Sequence, residues 1–174
     1  GFISLSDIEK INIPVNKRQP LIRTNLPNFS SDLTRIANRK SDGELDIIYT
    51  PPHGKDLLQK LLIDMLDFVY LDEEYPIHPL IKIALAHYQF ESIHPFRDGN
   101  GRTGRILNVL FLCQKGYLSH PILYASSYII KNKNRYYELL QTCKEDENYT
   151  EFIEYMLNSF KLTAEKTLAI VEKI

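Results

Sequence analysis

Residues 94–105 read His-Pro-Phe-Arg-Asp-Gly-Asn-Gly-Arg-Thr-Gly-Arg and run straight into the apolar stretch Ile106 to Leu112. Pro95 disfavours helical geometry at His94, so a preceding helix should end there, leaving the imidazole at a helix-to-loop boundary. The stretch from Ile106 onward is apolar on nearly every side, which predicts a helix buried in the middle of a bundle. Its first turn falls near Gly101 to Arg105. Backbone N–H groups in such a turn lack intrahelical partners and the helix dipole is positive there, so phosphate oxygens are favoured. Gly99, Gly101 and Gly104, three of the chain's seven glycines, let an anion approach the backbone closely. Arg102 and Arg105 lie on one helix face, where two guanidinium forks can grip a polyphosphate. Asp98 is the one carboxylate of the loop, a hard oxygen ligand suited to Mg²⁺ beside phosphates. His94 is the group able to move a proton in either direction near neutrality, hence the general-base candidate. The combination reads as a site for a phosphorylated nucleotide.

Outward from this loop the sequence divides near residue 54. Residues 1–53 hold five of the nine prolines and support one short helix around Leu5–Ile11, after a Ser4 or Ser6 cap. Leu45 to Thr50, bounded by Ser41-Asp42-Gly43 and Pro51-Pro52, reads as the second arm of a small β-hairpin. From Lys55 the pattern is helical over roughly 55–71, 78–92, 101–116, 127–144 and 148–172. Leu57, Leu58, Leu61, Leu62, Met65, Leu66 and Val69 follow the spacing of an amphipathic helix. The fold class is therefore mainly α, an orthogonal helical bundle with a β-hairpin flap over its active end. One structural domain is expected, with a loop-rich segment 1–54 ahead of a helical core 55–174.

Composition narrows the partners. A net charge of −1 gives no basic footprint for nucleic acid, and no apolar run reaches membrane-spanning length. Cys113 and Cys143 lack metal-ligand spacing, so a reducing, cytoplasmic compartment is expected. Glu91 and His94 form a Glu-x-x-His with His87 one heptad earlier, but a di-metal carboxylate bundle needs a second such motif and two further glutamates. His53, His78 and His120 each flank a proline or glycine and read as loop or cap residues. The chain opens on Gly1 and closes within a helical pattern, so it reads as an excised core of a longer protein.

The loop resembles the signature of the Fic family, His-x-Phe-x-Asp/Glu-Gly-Asn-Gly-Arg-x-x-Arg, at every specified position. Tyr-Thr-Pro-Pro at 49–52, Ala-His-Tyr-Gln-Phe-Glu at 86–91 and the Tyr136-Tyr137 pair are also similar to that family. The resemblance implies transfer of AMP from ATP to a Ser, Thr or Tyr hydroxyl of a target protein, with release of pyrophosphate. By the same resemblance His94 is the base, Asp98 holds Mg²⁺, and Phe96 anchors the loop inward. Gly99, Asn100 and Gly101 form the anion turn, continued by Thr103 and Gly104, while Arg102 and Arg105 meet the β- and γ-phosphates. Tyr136 and Tyr137 border the adenine. Ile47, Ile48, Tyr49 and Thr50 supply a flap edge that docks the target by β-augmentation. Lys144 stands where some members carry an adenine-contacting Asn. Many members also carry Ser/Thr-x-x-x-Glu-Gly/Asn, whose Glu blocks the second motif arginine, here Arg105. That pattern is missing, since Glu147-Asn148 has Cys143 four positions earlier. An inhibitory Glu is then expected from a segment outside this chain or from a partner. Two other readings share the loop: transfer of a different nucleoside monophosphate or of phosphate, and a nucleotide-binding regulatory module without turnover.

Overall fold

Pro79 at the first helical position, with His78 capping it through Nδ1 and the N–H of Leu80 (3.3 Å), starts the helix on which the rest of the bundle is built, α3 (Pro79–Ile93). Its residues Ile83, Ala84, Ala86, Phe90 and Ile93 are all buried. Helix α2 (Lys55–Tyr70) and helix α4 (Asn100–Gln114) pack against α3, and the long helix α7 (Thr150–Val171) crosses it as well. The structure is a computed structural model that describes residues 1–16, 36–39, 43–123 and 126–173. Ser41 and Asp42 of the expected turn, and residues 17–35 of the loop-rich segment, lie outside the described residues.

The amphipathic stripe read in the sequence is the one α2 buries, with Leu58, Leu62, Met65, Leu66 and Val69 in the core. In α7 the buried set Phe152, Tyr155, Met156, Ser159, Phe160 and Thr163 keeps the 3–4 spacing over three turns. Helix α4 differs from the fully buried helix expected. Leu107, Phe111 and Leu112 face inward, while Ile106 is 39% exposed, because α4 has neighbours on only part of its circumference. The single helix expected over 127–144 is two: α5 (Ser126–Lys131) and α6 (Lys133–Asp146), broken at Asn132 with φ −112° and ψ 35°. Near the start of the chain, α1 (Leu5–Asn16) is longer than the helix read from sequence. Ser4 and Asp7 cap it reciprocally: the N–H of Ser4 donates to Asp7 (3.0 Å) and the N–H of Asp7 to Ser4 Oγ (3.3 Å).

Strands β1 (Ile36–Arg39) and β2 (Leu45–Tyr49) pair antiparallel, with a bulge where Ile36 faces Tyr49 and Ala37 faces Ile47. Aromatic rings concentrate where α3, α6 and α7 meet. There His87 stacks near-parallel to Phe152 at 6.5 Å, and Tyr136 lies 6.2 Å from the same ring. Five residues before His87 on α3, Lys82 is fully buried, with Nζ 2.8 Å from Asp72, which also binds Lys115 at 2.7 Å. No helix among the described residues is long and apolar enough to cross a membrane.

Candidate nucleotide site

Helix α3 ends at His94, whose backbone takes the left-handed conformation (φ 48°, ψ 55°) while its N–H still bonds Phe90 O. A non-glycine residue in that region is uncommon, and Pro95 behind it removes the helical alternative. Phe96 then turns inward, fully buried against Phe90. Asn100 locks the turn: its Oδ1 accepts from the N–H of Phe96 and its Nδ2 donates to Phe96 O, both at 2.8 Å. Asn100 is thus the clamp that closes the loop, and its carboxamide faces the interior. Gly99 caps α4 at φ 80°, a conformation costly to any side chain. The loop is also held from α1. Asn12 Nδ2 donates to Asp98 O (3.2 Å) and to Thr103 Oγ1 (3.0 Å), and both Asn12 and Thr103 are buried.

A cavity of about 1120 Å³ opens beside this loop. His94, Gly101 and Arg105 line one wall, Tyr136, Tyr137 and Lys144 another, and Tyr49 stands at the rim. Arg105 Nε donates to Ser126 Oγ of α5 at 3.0 Å, which fixes the guanidinium along the first turn of α4. Tyr49 donates to Ser92 O at 2.8 Å, and Lys144 Nζ lies 4.5 Å from the centre of its ring. The end of β2 is therefore tied to both α3 and α6. The two adjacent tyrosines divide their work: Tyr136 is buried with its hydroxyl 2.9 Å from His87 Nε2, whereas Tyr137 is 54% exposed. Burial, with the charge of Arg105 adding to it, pushes the His87 pKa down to about 3, so this imidazole is neutral.

The remaining loop residues stand apart from the cavity wall. Asp98 has a side chain 79% exposed; its Oδ1 accepts from the N–H of Gly99 (2.7 Å) and its Oδ2 from Arg102 Nη2 (3.2 Å). Gly104 packs beneath the wall against Glu91, Phe90 and His87. Thr50 is exposed beyond β2, and Ile47 and Ile48 are described through their backbone in β2. No cluster of three metal-binding side chains occurs among the described residues. In the loop, the Asp98 carboxylate, solvent-reaching and beside a helix N-terminus, is a hard oxygen ligand of the kind Mg²⁺ takes one or two of, with phosphates and water.

Glu91, Asn12 and Ser126 were not read from the sequence as parts of this site, although Glu91 was weighed there as a metal ligand. Glu91 lines the cavity one turn before His94, and the spacing 87, 91, 94 on one helix face was its only signal. Asn12 sits four residues after Ile8 on the buried stripe of α1, a polar residue in a core position. Ser126 had no signal at all.

Fold and cavity together define a helical domain in which one imidazole overlooks the anion-receptive start of a second helix. The chain belongs to the Fic/DOC family, which its sequence matches over residues 7–112. It is 36% identical over 101 residues to protein adenylyltransferase Fic of Drosophila yakuba, spanning 57% of this chain and 19% of that one. Protein adenylyltransferase Fic of Nematostella vectensis is 30% identical over 121 residues, 70% of this chain and 26% of its own length. The chain thus spans about a quarter or less of the curated relatives it matches. A crystal structure of a Fic family protein from Desulfovibrio desulfuricans superposes with a TM-score of 0.62 at 29% identity, over 79% of this chain and 40% of that one.

Proposed function

We propose that this chain is the catalytic core of a protein adenylyltransferase that moves AMP from ATP to a Ser, Thr or Tyr hydroxyl of a target protein and releases pyrophosphate. The observation that carries the reading is His94 and Arg105 on one cavity wall at the start of α4, within a complete family signature. The relatives are protein adenylyltransferases, which supports the same activity. The triphosphate lies along the first turn of α4, where N–H groups, Arg102 and Arg105 receive its charge. His94 takes the hydroxyl proton as the oxygen attacks the α-phosphorus, the bond to the bridging oxygen breaks, and pyrophosphate departs. Asp98 would hold Mg²⁺, whose contribution when bound is to neutralise phosphate charge. Positioning and charge stabilisation supply most of the acceleration.

The hairpin serves as a flap whose edge, Ile47 to Thr50, receives the target backbone. Its attachment through Tyr49 to Ser92 supports this, because it holds β2 at the rim of the cavity. Tyr137 borders the base, and Lys144 replaces the Asn of some relatives there. Control comes from an inhibitory Glu brought to Arg105 by a segment outside this chain or by a partner. Two free thiols, Cys113 and Cys143, support a reducing, cytoplasmic setting.

The test is incubation with ATP labelled at the α-phosphate, Mg²⁺ and cell lysate, read by mass spectrometry. Adenylyl adducts on hydroxyl side chains are the expected result, and His94→Ala reduces them at least about a hundredfold while retaining ATP binding. Wild-type labelling by His94→Ala would reject the base. Asp98→Ala loses activity together with Mg²⁺ stimulation; a variant still stimulated by the ion would reject the ligand assignment. Label arriving from the γ-phosphate, or from another nucleotide, identifies the alternative transferases. ATP binding without any adduct identifies the regulatory module.

A further inference from the structure

The Glu91 carboxyl belongs to the cavity wall yet has no part in the reaction proposed above. It projects from α3 one turn before His94, and its Oε1 is enclosed with no hydrogen-bond partner among the described residues. Helix α4 is glycine where it passes this carboxyl. A Cβ on Gly104 would stand 2.8 Å from Oε1, and one on Gly101 would stand 3.0 Å from Arg105 Nη1 and 3.7 Å from Oε1. Two small residues therefore keep an enclosed carboxyl and a guanidinium against the helix turn that receives the polyphosphate. A buried carboxylate oxygen without a hydrogen-bond donor is costly, and here the nearby cation that offsets the cost at Oε1 is Arg105.

Several other ionisable groups surround it. On its own helix, His87 is held neutral by burial and His94 faces the same cavity. From α4 Arg105 acts on it, and from α6 the Tyr136 hydroxyl is raised far above neutrality by burial, while Lys133, Glu138 and Lys144 of the same helix line the cavity as well. Burial lifts the Glu91 carboxyl to about 7, with Arg105 pulling in the opposite direction. A polyphosphate in the cavity would claim Arg105 and add its own negative charge, and both changes favour the neutral acid.

We propose that Glu91 is a proton-coupled member of the polyphosphate site: entry of a nucleoside triphosphate into the cavity is accompanied by uptake of a proton from solvent onto the Glu91 carboxyl. The inference rests on the nucleotide reading above and adds to it a residue and a pH dependence. Below the pKa of the empty site Glu91 already carries the proton and none is taken up. Above it, binding must draw one in, so affinity falls as pH rises.

Calorimetric titration with α,β-methylene ATP and Mg²⁺, in pairs of buffers with different ionisation heats, measures that proton. The wild-type chain takes up about one more proton per nucleotide than Glu91→Gln near pH 8, and the difference approaches zero near pH 5.5. Its affinity weakens about tenfold per pH unit above 7 relative to the Gln variant, whose carboxamide mimics the neutral acid. The excess persists in His94→Ala. Equal uptake by wild type and Glu91→Gln at pH 8 would overturn the proposal, and loss of the excess in His94→Ala would assign the proton to the imidazole instead. Absence of binding at every pH would overturn the nucleotide reading itself, whereas binding without the excess removes only the role of Glu91.

Discussion

His94 and Gly104 show two ways in which one residue sets the site. At His94 the left-handed backbone turns the chain out of α3 and leaves the ring on the cavity wall, a strained conformation that Pro95 and the buried Phe96 hold in place. Gly104 has no such backbone constraint, and what it supplies is the lack of a side chain. Gly104→Ala would gain roughly 1 kcal/mol of helix propensity and lose about 1–3 kcal/mol to overpacking against Glu91 and Phe90. Since Phe90 Cδ1 stands only 3.0 Å from the added carbon and is itself buried, the loss should win, with urea unfolding at lower midpoint and weaker nucleotide binding in titration. A variant as stable as wild type would mean that Glu91 swings clear without cost.

Between helices, polar side chains make the connections that hydrophobic periodicity does not encode. Asn12 of α1 reaches Asp98 and Thr103 across more than eighty residues of sequence. Asn12→Ala leaves the Thr103 hydroxyl and the Asp98 carbonyl without that donor, at a cost of about 1–3 kcal/mol in chemical denaturation. Because the lost contact restrains the backbone of the residue assigned to Mg²⁺, the concentration of the ion giving half-maximal transfer should also rise several-fold. An unchanged Mg²⁺ requirement would separate α1 from the site. The break at Asn132 belongs to the same class of effect. On either side of it, α5 brings Ser126 to Arg105 and α6 brings Tyr136 to His87.

Across the molecule, the cavity beside the 94–105 loop and the anchor of the bundle are built from different side chains. Asp72 follows α2, Lys82 belongs to α3 and Lys115 follows α4, so one carboxylate ties together the three helices that carry the loop. Hydrogen bonds from Lys115 and then Lys82 hold the Asp72 carboxyl at about 2, below its ordinary 3.8. A depressed carboxylate pKa contributes stability that is present above the unfolded value and is lost as pH falls through the folded one. Asp72→Asn should therefore lower the melting temperature by a few degrees at pH 7, with the gap to wild type closing between about pH 4 and pH 2. Nucleotide affinity should stay unchanged, because none of the three side chains lines the cavity. A gap that is constant with pH would assign the effect to packing.

Residues 94–105 were legible in the sequence because their meaning is local: a proline ends one helix, a glycine caps the next, and the side chains read for phosphate and proton chemistry fall within twelve consecutive positions. The stripes of α2 and α7 were legible for the same reason, since a helix repeats its buried face every three to four residues. Pairing across the bundle decided the rest. Whether Asn100 faces an anion or clamps Phe96, which of two tyrosines closes the core, and whether Glu91 is a surface charge or an enclosed acid all depend on neighbours distant in sequence. A side chain's chemistry is fixed by its atoms, but its protonation and partner are fixed by what surrounds it, and only the packed chain supplies those surroundings.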